Sequence, residues 1–108
     1  MERLFIYGSL QPGAPNEHVL APLEGDWQPA VVKGRLIESG WGAELGYPGM
    51  VIDPGGEDIP GQLLSSRSLT AMWSELDALE GEEYERVVTP VILESGEQVD
   101  AWVYALRN

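Results

Sequence analysis

The stretch Ser68-Leu-Thr-Ala-Met-Trp-Ser-Glu-Leu-Asp-Ala-Leu-Glu80-Gly81 decides the fold. Leu69, Met72, Trp73, Leu76 and Leu79 recur at the three- and four-residue spacings that put side chains on one helical face. Ser68 is a suitable N-cap, and Gly81 stands where helices commonly end. The spacing predicts a helix over 68–80. Glu80 lies four residues after Leu76 and seven after Trp73, so a carboxylate extends the apolar stripe. A negative charge in the last turn also opposes the helix dipole, by roughly 0.3–1 kcal/mol. Burial on such a face favours the protonated carboxyl, as a general acid or base working near neutrality requires. The alternative is a last-turn glutamate that bends out to solvent.

On either side of this helix the chain reads as β-structure. Downstream, Arg86 to Leu93 and Gln98 to Leu106 are β-rich runs separated by Glu94-Ser95-Gly96-Glu97, the pattern of an antiparallel hairpin. Upstream, Leu4 to Tyr7 is a mostly apolar run stopped by Gly8, a buried strand entering a tight turn. Ala30 to Ile37 is a second strand with a bend or bulge at Gly34. Met50 to Ile52 and Gly61 to Ser65 are shorter ones. Gln11 to Pro22 holds three prolines and reads as loop, with at most one helical turn near Asn16 to Leu20. The sum is an α+β domain or small barrel with one principal helix against it. The alternating β and α segments of a doubly wound nucleotide fold are missing.

Composition narrows the function. A chain of 108 residues, 44% hydrophobic, fits one domain, residues 1–108. Eighteen Asp and Glu against six Lys and Arg give a net charge of −12. That argues against a nucleic-acid-binding surface and against anionic lipid. No apolar run approaches the roughly 20 residues of a membrane helix, and Met1-Glu2-Arg3 carries no signal-peptide pattern. With no cysteine, neither disulfides nor thiolate chemistry is available; a cytoplasmic location is expected. His18 is the sole histidine and sits in the loop, a surface or packing residue. No metal-ligand spacing is present, so no metal site is expected.

The turn Tyr7-Gly8-Ser9-Leu10 follows the first strand. Glycine lets backbone approach a ligand closely, and successive amides in such a turn can hold an anion. An ordinary strand-to-loop turn would look the same.

Read together, these residues resemble a known family. Tyr7-Gly8-Ser9-Leu10-Gln11-Pro12-Gly13-Ala14-Pro15-Asn16 is similar to the opening signature of the gamma-glutamylcyclotransferase-like superfamily. Leu76-Asp77-Ala78-Leu79-Glu80-Gly81 with Tyr84-Glu85-Arg86 resembles its second signature, and Ala101-Trp102-Val103-Tyr104 its closing strand. Tyr47-Pro48-Gly49 falls where members carry a Tyr-Pro turn. The branch most resembled is the short bacterial, gamma-glutamylamine-cyclotransferase-like one. The resemblance implies a small, mainly antiparallel mixed β-barrel with a flanking helix. It also implies a cofactor-independent enzyme acting on a small γ-glutamyl substrate, with Glu80 as acid/base and substrate held by the backbone of Tyr7, Gly8, Ser9 and Leu10. The substrate's own α-amine would attack its γ-carbonyl, releasing 5-oxoproline and a free amine.

Around this core of assignments, Tyr84 and Tyr104 either line the cavity or are core tyrosines with satisfied hydroxyls. Trp41 and Tyr47 either rim the cavity or cover the barrel end. Asn16 pins the loop. Arg86 pairs with substrate or with a carboxylate, and Glu82, Glu83 and Glu85 form a solvated turn. Gln11 departs from the basic residue many relatives carry, and the chain stops four residues after Tyr104, which leaves an open cavity as an expectation. Two other readings use the same barrel: a non-catalytic ligand-binding or interaction module, and removal of a γ-glutamyl protecting group in amine biosynthesis. Oligomeric state is not legible.

Overall fold

The computed structural model describes residues 2–8, 10–14, 17–37 and 49–107. Among these residues there are six strands: β1 (Glu2–Ile6), β2 (Asp26–Ile37), β3 (Gly49–Ile52), β4 (Glu57–Ser66), β5 (Tyr84–Leu93) and β6 (Gln98–Leu106). One α-helix, α1 (Trp73–Glu80), lies between β4 and β5. Short 3-10 turns occupy Glu17–Val19 and Arg67–Ala71.

The strands are ordered β2-β4-β1-β6-β5, and β5 returns to β2, so five strands close a barrel. Closure is made by Ala30 opposite Leu93 and Val31 opposite Ile92. β1 and β6 run parallel, with Phe5 opposite Val103; the other pairings are antiparallel. β3 extends the pairing of β2 past β4, from Gly34 opposite Ile52 to Ile37 opposite Gly49. The α+β mixed barrel with one flanking helix is therefore what the chain forms.

Alternation along the strands builds two cores. Phe5, Val32, Met50, Leu63, Val91 and Val103 fill the barrel. Their chain neighbours Leu4, Ile6, Leu64 and Tyr104 point the other way and pack with Leu69 and Leu76. Successive residues of a strand face opposite sides, so Leu4, Phe5 and Ile6 of β1 form an apolar run because both faces of the strand are covered there. Each fully buried Leu or Phe contributes about 1.5–3 kcal/mol.

The structure departs from the reading above in three places. The helix is α-helical only from Trp73; Arg67–Ala71 is a 3-10 turn capped by Ser66, not Ser68. The Ser66 hydroxyl accepts from the Ser68 amide and donates to the Glu24 carbonyl, which ties the turn to the loop before β2. Leu79 is 42% exposed rather than part of the apolar face. Measured from Leu76, a residue four along is displaced by about 40° and one three along by about 60°. The packed face thus turns toward Glu80, which is half-buried. Finally, β2 begins at Asp26 and β4 at Glu57. Pro29 and Pro60 make those strand starts look like loop, although both prolines sit exposed within the β2–β4 pairing.

Candidate active site

Glu80 closes α1, and its position is set by one anchor. Leu76, one turn earlier, is the only fully buried residue of the helix. Gly81 ends the helix with φ 81°, in the left-handed region that favours glycine.

The charge of this carboxylate acts on three tyrosines. Tyr7 follows β1, Tyr84 starts β5, and Tyr104 lies near the end of β6. The parallel register of β1 with β6, and Tyr84 opposite Leu106, bring them to one end of the barrel. Burial is the main cause that raises each phenol above its ordinary range, and the negative charge of Glu80 adds to it in all three. Tyr84 is pushed up to about 12 by burial, then by Glu80 and Glu83. All three phenols therefore stay neutral across any physiological pH and can donate hydrogen bonds.

Two of the hydroxyls are committed. Tyr7 Oη accepts from the Met50 amide at 3.1 Å and donates to the Tyr104 carbonyl at 2.7 Å, joining β3 to β6. Tyr104 Oη donates to Asp77 Oδ1 at 2.7 Å. Tyr84 Oη has no hydrogen-bond partner among the described residues. Tyr104 is thus a cavity-end tyrosine with a satisfied hydroxyl. Substituting Tyr7 by Phe removes both bonds and leaves the Met50 amide unpaired. Urea unfolding of Tyr7→Phe is expected to show a loss of about 1–3 kcal/mol; an unchanged midpoint would mean the hydroxyl joins nothing that matters to the fold.

Arg86 pairs with Asp77, not with substrate-side glutamates. Its Nε and Nη2 reach Asp77 Oδ1 and Oδ2 at 3.0 and 3.3 Å. Its guanidinium lies 4.3 Å from the Trp73 ring centroid and 4.7 Å from that of Trp102. The hydrogen bond from Arg86 holds the Asp77 carboxyl below its usual range, against the opposing effect of burial and with help from the Tyr104 hydroxyl. Asp77, Trp73 and Trp102 are the neighbours of the site that the sequence reading missed. A pair spanning nine residues forms only because β5 folds back along the helix.

The turn after β1 is partly described. The Gly8 carbonyl accepts from both the amide and the side chain of Gln11, each at 3.2 Å. Among the described residues, the amides of Gly8 and Leu10 have no acceptor. Gly8 is not in the left-handed region, and among the described residues a Cβ there would meet nothing within 4 Å. No described residue demands glycine at this position. The Leu10 side chain belongs to the core, so only its backbone can serve a ligand. Ser9, Asn16, Trp41 and Tyr47 lie outside the described residues. His18 is exposed.

Two hollows flank this end of the barrel. One, of about 560 Å³, is lined by Asp77, Gly81, Tyr84, Arg86 and Tyr104. The other, of about 640 Å³, starts at Tyr7 and Gln11 and runs over Pro29, Pro60, Leu93 and Glu94. Glu80 itself lines neither of them. Among the described residues no group of three Asp, Glu or His side chains is placed to hold a metal ion, and no helix is long and apolar enough to cross a membrane.

Comparison with known proteins identifies the family and the fold. A family profile described as gamma-glutamyl cyclotransferase, AIG2-like, matches residues 4–108. A Drosophila melanogaster protein named "Putative gamma-glutamylcyclotransferase CG2811" is 30% identical over 113 residues, covering 98% of this chain and 70% of that one. YkqA from Bacillus subtilis superposes with a TM-score of 0.74 at 25% identity. That match covers 98% of this chain but only 36% of YkqA, so the chain spans about a third of that larger protein. A mouse AIG2-like protein shares the fold, with a TM-score of 0.75 at 21% identity over 97% of this chain and 76% of its own. The chain belongs to the gamma-glutamyl cyclotransferase, AIG2-like family.

Proposed function

We propose that the protein is a γ-glutamyl cyclotransferase that converts a γ-glutamyl amine or γ-glutamyl amino acid into 5-oxoproline and a free amine, with Glu80 as general acid and base. The observation that carries this reading is the half-buried Glu80 carboxylate facing three neutral phenols at one barrel end. Half-burial favours the protonated carboxyl and so supports proton transfer near neutrality, and the family's chemistry needs such a group.

The reaction joins two ends of one molecule. The α-nitrogen forms a bond to the γ-carbonyl carbon, the bond from that carbon to the leaving nitrogen breaks, and a five-membered lactam results. The α-ammonium starts with three protons and the lactam nitrogen keeps one. The other two pass through Glu80 to the leaving nitrogen, which departs as an ammonium. Glu80 thus acts first as base and then as acid. Because nucleophile and electrophile share a chain, the main demand on the protein is a folded substrate conformer. Well-oriented intramolecular reactions reach effective molarities of roughly 10⁵–10⁸ M. The amides of Gly8 and Leu10 and the Tyr84 hydroxyl are donors for the α-carboxylate or for the oxyanion that forms at the γ-carbonyl.

The experiment that tests the reading uses substrates acetylated on the α-amine. They are expected to bind and not to react, since the nucleophile is blocked. Release of amine from an acetylated substrate would show that water, not the substrate, is the attacking group. A side chain at position 8 probes the turn. Gly8→Ala is expected to raise KM several-fold with an unchanged melting temperature, because its methyl group enters open space that substrate would use. A lowered melting temperature with unchanged KM would place Gly8 in the scaffold instead.

A further inference from the structure

The pair Asp77–Arg86 is not needed for the chemistry just described, yet it is built with more care than an exposed ion pair requires. Asp77 is only partly covered, with 46% of its side chain exposed, and Arg86 is 22% exposed. Exposed pairs of this kind usually contribute little to stability. Here, however, both guanidinium nitrogens engage both carboxylate oxygens. The cation is held between Trp73 of α1 and Trp102 of β6. Trp102 is itself fixed from β1, its indole N–H donating to Glu2 Oε2 at 3.0 Å. Tyr104 adds a third hydrogen bond to Asp77. β5 and β6 therefore both bond to a residue that lies three positions before Glu80 on the same helix.

We infer that Asp77, Arg86 and Tyr104 form a positioning unit for Glu80, which locks the last turn of α1 to β5 and β6 and cancels the charge of Asp77 beside the acid/base carboxylate. The inference rests on the reading of Glu80 given above. Two carboxylates three residues apart on a helix are neighbours, with Cβ atoms about 5–6 Å apart. Uncompensated, Asp77 would favour the protonated form of Glu80 and reduce its capacity as a base. Among the described residues, Tyr7, Tyr84 and Tyr104 are barrel groups on which the Glu80 charge acts; all three are neutral. Arg86 is the described cation that faces Asp77. Its planar fork also fixes direction, which a lysine would not.

The test follows Glu80 directly, by carboxyl ¹³C NMR titration of the full-length protein labelled at glutamate, with the Glu80 resonance assigned by its loss in Glu80→Gln. Arg86→Met removes the compensating cation, so the Glu80 midpoint is expected to move up by about half a pH unit. Unit charges about 6 Å apart in a water-like medium interact by that amount. Asp77→Asn removes the anion and leaves the cation, so the midpoint is expected to move down by a similar amount. Simple loosening of the helix would move both in the same direction, and that result, or no movement, overturns the inference. Arg86→Lys is expected to restore the midpoint but not kcat, which falls about tenfold or more in Arg86→Met at nearly constant KM. If Arg86→Met does not fold, Asp77→Asn keeps the shape of the side chain and carries the test. Turnover lost in Glu80→Gln but intact in Arg86→Met sinks this inference alone; full turnover in Glu80→Gln sinks the reading of Glu80 and this inference with it.

Discussion

Glu80→Gln is expected to lower turnover of a γ-glutamyl amine by about 10²–10⁴-fold, the usual contribution of a positioned acid/base. The substitution keeps the shape of the side chain and removes its charge and its capacity to carry protons. Stability is expected to hold or to rise slightly. A negative charge at the C-terminal end of a helix is unfavourable by roughly 0.3–1 kcal/mol, and Gln removes it. A variant that is inactive yet at least as stable as the wild type separates function from fold, since residues kept for chemistry often cost stability. The comparison needs steady-state kinetics beside a thermal melt. Loss of activity together with a large fall in melting temperature would point to a structural glutamate instead.

Leu76→Ala is expected to destabilise the protein by about 2–5 kcal/mol, the range for emptying a buried leucine site. For a domain of this size that is a fall in melting temperature of roughly 10 °C or more. The expectation follows from the shortness of α1. Eight residues cannot hold a helix in water unaided, and Leu76 is its only fully buried side chain. The same truncation should reduce kcat at temperatures where the protein is still folded, because Glu80 lies one turn beyond the anchor. Urea unfolding gives the stability. A loss below about 1 kcal/mol would show that the Arg86 clamp rather than Leu76 holds the helix.

Much of this architecture is legible in the sequence, because local periodicity and turn chemistry agree with the final fold. The Gly81 stop, the β5–β6 hairpin with Gly96 at φ 89°, and the buried run of β1 all follow from residue pattern. What the pattern misreads has physical causes. Leu79 and Glu80 flank Leu76 at similar angles, and hydrophobicity alone favours Leu79 for the inside. Only the docking of α1 against β5 and β6 selects the Glu80 side. Pro29 and Pro60 suppress the starts of β2 and β4, since a proline in a strand reads as a break until its neighbours are known. At the site, the residues carried by motif, Glu80 with Tyr7, Tyr84 and Tyr104, come together at one barrel end. The Leu10 side chain belongs to the core, which leaves its backbone, the part the motif assigns, for a ligand. The Asp77–Arg86 pair was not legible, because it depends on how a strand returns past a helix and leaves no spacing rule behind.

The central claim is that the substrate's own amine closes the ring. The most direct measurement is the product balance from a panel of γ-glutamyl amines and dipeptides incubated with the wild-type protein, with 5-oxoproline, free glutamate and released amine quantified together. The account predicts 5-oxoproline and amine in equal amounts, with no glutamate above the uncatalysed background. Release of glutamate in step with the amine would show hydrolysis, and the assignment of Glu80 to an intramolecular proton transfer would be wrong.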